Sequence, residues 1–289
     1  MANYTAATVK ELREMTGAGM MECKKALTEA DGNLDAAVDI LRTAGLAAVA
    51  KKAGRATDEG TIAASVSADG HTGALVELNC ETDFVGINDK FKAYADKIAL
   101  AAIANNAGDL DALLACEYEG ETVDAMVADA IHTIGENIKV SKVAVCSAPE
   151  GGISTYIHAG GKIAVMVQFA LGNPDLASSD NFARLGRDVA MHVAATNPVS
   201  ATRNEVDPAI VEHELSIFRA QAAESGKPEA IQEKMAQGRI EKFYKESVLA
   251  EQMFVKNPDI SVADHVSACA KEIGTSVEIL AFVRFALGE

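Results

Sequence analysis

Residue types that support covalent or metal chemistry are present, but not in patterns that would let them act together. The six histidines and five cysteines are scattered, and no C-x-x-C, Walker A, G-x-S-x-G or H-E-x-x-H pattern occurs. Cys80 beside Glu81 could act as a nucleophile, but no histidine in the sequence has an evident route to activate it. His192 is flanked by apolar residues, so we interpret it as a core histidine. We therefore expect no catalytic residue, no metal site and no cofactor, and we predict that the protein is not an enzyme.

An unusual segment follows the point where a predicted strand ends. Phe84 and Val85 are apolar residues in a stretch, 79–88, that should otherwise be polar. Phe84 could fill its own core at a strand-to-helix corner, which its alignment with Leu176 in a second copy of the pattern favours. It could equally be an aromatic anchor for a pocket of a partner protein. Composition and spacing alone favour neither reading.

The first 45 residues predict three short helices. Apolar residues at helical spacing run up to Thr16-Gly17, again from Met20 to Leu27, and again after the capping residue Asn33. A unit of this size is marginal alone and is more typical of docking than of chemistry. Residues 46–59 lack a clear apolar stripe, so we predict a mobile or partly helical linker.

Two stretches that start about 92 residues apart predict the same β-hairpin. Each alternates apolar and polar residues around a glycine-containing turn, at Asp69-Gly70 in the first and at Gly160-Gly161 in the second. A helix opened by Phe91 follows the first hairpin, and one opened by Phe182 follows the second. The later strands are about 139 residues apart. The chain therefore contains two copies of one unit, with about 47 extra residues in the second copy.

The extra residues predict an antiparallel helical hairpin at about 208–249, with its turn at Pro228. The predicted fold class is α+β, with a three-helix head and a duplicated hairpin–helix–strand core that carries the inserted helical hairpin. The expected divisions are a head over 1–45, a linker over 46–59, a first core half over 60–146 and a second core half over 147–289.

The composition excludes several classes of function. A formal charge of −16 repels phosphate backbones, and no basic block offsets it, so we expect no direct nucleic-acid binding. No stretch approaches the roughly 18–20 apolar residues that a membrane helix needs. The sequence also has no secretory signal pattern and an odd number of widely spaced cysteines. We expect a cytoplasmic protein with no membrane partner.

The motifs of the chain resemble those of the elongation factor Ts family. The resemblance is collinear over nearly the whole chain, and its first two motifs are long enough to be specific. It is carried by residues 9–13, 16–27, 79–85, 191–195, 225–228 and 282–285.

The resemblance implies a guanine-nucleotide exchange factor. Such a factor binds elongation factor Tu in its GDP form, displaces magnesium from that partner and promotes GDP release during translation elongation. The resemblance further implies that the head is ubiquitin-associated-like and that the helical hairpin is a coiled coil. It leaves open a homodimer or a 2:2 complex with the partner. The alternative is a protein-binding module without exchange activity.

The resemblance also implies the residues of the site. Residues of the unusual segment, with Phe84 as a wedge between two partner helices, would displace magnesium: Thr82, Asp83, Phe84 and Val85. Further partner contacts would be Arg13, Met20, Met21, Ile134, Gly135 and His158. Since one of two adjacent helical residues should face the head's own core, we expect at most one of Met20 and Met21 to be a free contact.

Overall fold

Three helices form the N-terminal head of the protein. The computed structural model describes residues 3–16, 18–52 and 54–289, with the backbone alone for residues 45–51. The helices of the head are α1 (Ala6–Thr16), α2 (Met20–Glu29) and α3 (Leu34–Lys52).

The head has its own small core, in which Leu12, Cys23 and Leu27 are fully buried. The side chain of Asn33 accepts a hydrogen bond from the Ala36 amide at 3.0 Å and so caps α3, as the sequence predicted. Helix α3 continues past residue 45 to Lys52, so the first part of the predicted linker is helical. Gly17 at the predicted end of the first helix, and Ala53 in the linker, lie outside the described residues.

The first core half combines one sheet with helices on one of its faces. Its elements are β1 (Glu59–Val66), β2 (Thr72–Cys80), α4 (Asp83–Gly86), α5 (Asp89–Asn105), α6 (Leu110–Ala115), β3 (Glu117–Tyr118), β4 (Glu121–Thr122), α7 (Val123–Ile134) and β5 (Lys139–Ser147). Strands β1, β2 and β5 form an antiparallel sheet in the order β1-β2-β5, in which Glu59 lies opposite Cys80. Phe91 and Ile98 of α5 and Met126 of α7 are buried against this sheet. Alanines and branched aliphatic side chains make up most of the rest of this core.

The second core half repeats this arrangement. Its elements are β6 (Gly151–His158), β7 (Ile163–Leu171), α8 (Asp180–Thr196), α9 (Pro208–Ala223), α10 (Glu229–Ser247), β8 (Met253–Phe254), β9 (Asn257–Ser261), α11 (Val262–Ile273) and β10 (Val277–Ala286). Its sheet has the order β6-β7-β10, which is the same topology as β1-β2-β5. Phe182 of α8 packs edge-on against Phe169 of β7, with ring centroids 5.3 Å apart. The common topology supports the duplication that the sequence predicted.

The two sheets pack against each other over an apolar layer that includes Ile62, Leu75, Ile153 and Met166. Backbone hydrogen bonds join them at both ends of this layer. The Ile62 amide donates to the Gly161 carbonyl at 2.8 Å, and the Ile153 amide donates to the Gly70 carbonyl at 2.8 Å. Each hairpin turn is therefore held by the other half of the core.

Helices α9 and α10 form the predicted helical hairpin. Arg219 of α9 and Glu233 of α10 are joined by two hydrogen bonds, at 2.8 and 2.9 Å. The chain enters and leaves the hairpin side by side, because the Val199 amide donates to the Ser247 carbonyl at 2.9 Å. An insertion whose ends are adjacent interrupts the surrounding fold little.

Replacing residues 209–246 with a short Gly/Ser linker should leave the rest of the chain folded. The replacement removes the partly exposed ion pair between Arg203 and Glu241, which contributes about 1 kcal/mol at most. We expect one cooperative thermal transition by circular dichroism, with Tm lowered by about 2–4 °C.

A variant in which only the hairpin tip, residues 224–228, is replaced serves as the control and should melt like the intact protein. Insoluble product from the longer replacement alone would mean that the hairpin is part of the core.

Candidate functional site

The Asp83-Phe84 segment lies at the corner between β2 and α5. Residues 83–86 form the single turn α4 there. Phe84 is 78% exposed, whereas Val85 is half-buried and packs against the first core. The reading in which Phe84 fills its own core is therefore wrong, because the adjacent Val85 takes the inward position. The corner presents an aromatic ring next to the carboxylate of Asp83, which is also exposed.

The glycine that ends α4 brings this turn close to the sheet. A Cβ on Gly86 would lie 2.8 Å from the carbonyl oxygen of Gly60 in β1, so only glycine allows this approach. Asn88 follows and caps α5 by accepting a hydrogen bond from the Lys90 amide at 2.9 Å. The corner is thus closely packed on its C-terminal side.

Two glutamates hold the N-terminal side of the corner. The Glu136 carboxylate accepts hydrogen bonds from the amides of Glu81 and Thr82, at 2.9 and 3.1 Å, and from the Thr82 hydroxyl at 2.6 Å. In return, the Glu81 carboxylate accepts from the Asn137 amide at 2.6 Å and from the Arg55 guanidinium at 3.3 Å. The Asn137 amide bond and, after it, Arg55 lower the pKa of the Glu81 carboxyl. We call these reciprocal bonds between residues 81–82 and 136–137 the glutamate bridge.

The glutamate bridge brings two predicted contact sites together. Ile134 is the last residue of α7, and Gly135 ends the helix in the left-handed conformation with φ 91°. Ile134 is half-buried against the first core, while Gly135 is exposed. The next two residues, Glu136 and Asn137, bind the Phe84 corner directly, so the turn and the corner are neighbours. The sequence analysis missed these two polar residues; their only local signal is that they follow a predicted helix end.

His158, the third predicted contact in the core, lies at the end of β6 and is exposed. Its Nδ1 lies 3.1 Å from the Tyr156 hydroxyl. The turn after it binds β1 through the bond between Ile62 and Gly161. Strand β1 therefore contacts the Phe84 corner at Gly60 and the His158 turn at Ile62.

The predicted contacts in the head are all on its surface. Arg13 is exposed, Met20 is 50% exposed and Met21 is 74% exposed. The expectation that one methionine would face the core is wrong. Helix α2 begins at Met20, and its inward positions start only at Cys23, which leaves its whole first turn outside.

The head contacts the first core half through α7. The Lys52 ammonium donates to the Ile131 carbonyl at 3.3 Å, and His132 Nε2 lies 3.6 Å from the Glu22 carboxylate. A cleft with a volume of about 860 Å³ remains between the two bodies. Its walls carry Met15 and both acidic and basic side chains, and they do not select one ligand charge.

The side chains that sequence analysis weighed for covalent chemistry are buried. Burial raises the pKa of Cys80 to about 12, and its thiol donates to the Thr82 carbonyl at 3.2 Å, so it is not a nucleophile. His192 is fully buried; its Nδ1 accepts from the Val255 amide at 3.2 Å and its Nε2 lies 2.9 Å from the Gln252 side-chain oxygen. Burial lowers the pKa of this imidazole. The interpretation of His192 as a satisfied core residue is confirmed.

Within residues 3–16, 18–52 and 54–289, no three histidine, cysteine, aspartate or glutamate side chains are grouped so that they could hold a metal ion. Of the helices in the same ranges, none is both long and apolar enough to cross a membrane.

Comparison with known proteins identifies the family. The model of the family described as "Elongation factor TS" matches residues 81–289. The chain is 45% identical over 288 residues to elongation factor Ts of Trichlorobacter lovleyi, covering 99% of this chain and 93% of the relative. It is 47% identical over 296 residues to elongation factor Ts of Parvibaculum lavamentivorans, covering 100% and 94%, respectively. Elongation factor Ts of Clostridium botulinum is 44% identical over 288 residues, covering 99% and 92%. These matches confirm the resemblance carried by the sequence motifs, and the chain belongs to the elongation factor Ts family.

Proposed function

We propose that the protein is a guanine-nucleotide exchange factor that binds elongation factor Tu in its GDP form and promotes GDP release during translation elongation. It performs no covalent chemistry of its own. The observation that carries the proposal is Phe84, a large apolar side chain held 78% exposed at a packed corner. An aromatic ring in that position contributes little to the stability of its own chain, whereas it can fill a pocket of a partner.

Exchange requires that the factor bind the nucleotide-free partner more tightly than the GDP-bound partner. Because the coupling is reciprocal, the factor weakens GDP binding as much as GDP weakens binding of the factor. Weakening GDP a thousandfold needs about 4 kcal/mol of differential interaction. Burial of one Phe contributes roughly 1.5–3 kcal/mol. Phe84 thus supplies a large part of the coupling, and the remaining contacts supply the rest.

In the proposed mechanism, Phe84 enters between two helices near the nucleotide site of the partner, while Asp83 binds a nearby polar group. Binding of these two residues there would displace the magnesium ion of the partner and so promote release of GDP. Thr82 and Val85 have a supporting role: the Thr82 hydroxyl donates to Glu136, and Val85 packs on the first core. Both hold the segment, and the two residues between them make the contact.

The other surfaces would provide affinity. Arg13, Met20 and Met21 would dock the head on the nucleotide-binding domain of the partner. Ile134 and Gly135 would extend the surface around Phe84. His158 would contact a more distant part of the partner from the second core half.

The remaining features of the proposal concern architecture and location. We propose a ubiquitin-associated-like head followed by a linker, two core halves over 60–146 and 147–289, and a coiled-coil insertion at about 208–249. The protein would act in the cytoplasm without a cofactor, a membrane or direct contact with nucleic acid. The protein would form a homodimer or a 2:2 complex with the partner.

Replacing Phe84 with Ala should leave the protein folded and reduce the maximum rate of GDP release about 10- to 100-fold, since burial of the ring is lost only in the exchange complex. Stopped-flow release of a fluorescent GDP from elongation factor Tu measures this rate. Leu176→Ala, at the equivalent corner of the second half, is the control and should keep release near that of the unchanged protein. Unchanged release by the Phe84 variant would remove Phe84 from the mechanism.

Replacing both Met20 and Met21 with Ala should weaken docking but not the exchange step. We expect the factor concentration for half-maximal release to rise about tenfold or more, with the plateau rate unchanged, because each methionine buries apolar surface on binding. Met15→Ala is the matched control, since Met15 is 59% exposed but lines the cleft toward the core. A lowered plateau in the double variant would place the head in the exchange step itself.

Replacing Cys80 with Ala should change the release rate less than about twofold, while lowering the free energy of unfolding by about 1 kcal/mol for the lost buried atom. Release kinetics and urea unfolding measure the two effects. Complete loss of activity in a folded Cys80→Ala protein would instead revive the enzyme hypothesis.

A further inference from the structure

The glutamate bridge addresses a problem that the exposure of Phe84 creates. The ring makes few contacts in its own chain, so packing of the ring cannot determine where it points. Its direction must come from the backbone on both sides. Gly86 and Val85 supply this on the C-terminal side through contacts with β1 and the first core. On the N-terminal side, the Thr82 carbonyl accepts from the Cys80 thiol, and the amides of residues 81 and 82 donate to Glu136.

We infer that Glu136 is a positioning residue for exchange, which holds Phe84 in its partner-binding direction by binding the backbone of residues 81–82. This inference rests on the proposed function. Glu136 does not need to touch the partner for this role. It acts through the corner that it holds.

The geometry at Glu136 suits this role. One oxygen of its carboxylate accepts from two successive amides, and the other accepts from the Thr82 hydroxyl. Hydrogen bonds to an ionised acceptor are shorter and stronger than neutral ones. Two successive amides directed at one oxygen fix the orientation of both peptide planes, and Phe84 follows only two residues later.

The reciprocal bonds of Glu81 make the bridge a closed unit. Glu81 binds the amide of Asn137, and the Asn137 side chain donates to the Arg55 carbonyl at 2.8 Å. Asn137 is itself buried. The anchor to which the corner is tied is therefore part of the folded core and not a mobile loop.

The second copy of the unit serves as an internal comparison. At the equivalent corner Leu176 is half-buried, and the Gly172 amide is bound by the Ser276 carbonyl at 3.0 Å. Thr275 stands where the repeat spacing places Glu136 in the first copy. The second copy, in which Leu176 is half-buried, has no carboxylate at this position. The first copy, in which Phe84 is exposed, has the carboxylate of Glu136.

Removal of the glutamate bridge increases the conformational entropy that the Phe84 corner loses when the partner binds. A corner that samples several directions must be fixed when the partner binds, and that loss of freedom reduces the interaction available for exchange. We expect Glu136→Ala to lower the maximum rate of GDP release about tenfold, equivalent to about 1.4 kcal/mol. Glu136→Gln should recover release to within about threefold, because its amide oxygen can still accept from both backbone amides.

The experiment measures release of fluorescent GDP from elongation factor Tu and amide hydrogen exchange of residues 81–88 for each variant. Faster hydrogen exchange and slower GDP release in Glu136→Ala, with recovery of both in Glu136→Gln, are the expected results.

In a Phe84→Ala background, Glu136→Ala should cause no further loss, since it acts through Phe84. Thr275→Ala is the matched control and should change neither quantity. If Glu136→Ala does not fold, Glu136→Asp, which keeps the charge but shortens its reach, replaces it.

Three outcomes overturn the inference. Unchanged amide exchange or unchanged GDP release in Glu136→Ala would remove the bridge from positioning, with the role of Phe84 intact if Phe84→Ala still loses activity. A full tenfold loss in the Phe84→Ala background would mean that Glu136 acts independently of the ring. Normal release by Phe84→Ala itself would remove the ring from exchange, and the positioning role with it, whereas release at only the basal rate with the unchanged protein would overturn the proposed function.

Discussion

The reciprocal hydrogen bonds between residues 81–82 and 136–137 are the interaction on which the candidate site depends. They tie the end of one strand to the turn that precedes another, so the Phe84 corner and the Gly135 turn form one surface. An exposed aromatic ring contributes little to the stability of its own fold, so its surroundings must hold it in place. Here a carboxylate holds the chain before the ring, and a glycine packed on β1 holds the chain after it. In the proposed function, this support would reduce the conformational entropy lost when the ring binds a partner.

The core consists of two similar halves, but only the first half has this arrangement at its corner. Both halves have a three-stranded antiparallel sheet of the same order, covered by helices. Sheet order and helix packing depend on apolar burial, and both copies retain it. The corners are free of that requirement and differ: one exposes Phe84, and the other leaves Leu176 half-buried. The two halves therefore differ in a few loop residues carried by a common scaffold.

The head adds a second surface at a position set by α3 and α7. Helix α3 continues to Lys52, and the Lys52 ammonium binds the carbonyl of Ile131 near the end of α7. Helix α7 ends at Gly135, next to the glutamate bridge. It thus connects the head, which exposes Met20 and Met21, with the surface around Phe84.

The sequence by itself determined the family, the two β-hairpins, their repeated topology and the inserted helical hairpin, because these depend on local periodicity, turn residues and long motifs. It also found the segment that carries Phe84. Tertiary structure alone decided which way Phe84 points, that Met20 and Met21 are both exposed, and that the third helix extends to Lys52. Glu136 and Asn137, which bind Glu81 and Thr82, lie more than fifty residues away from them in the chain. No periodicity within one segment can reveal such a contact, since it exists only after strand pairing has brought the end of β2 beside the turn before β5.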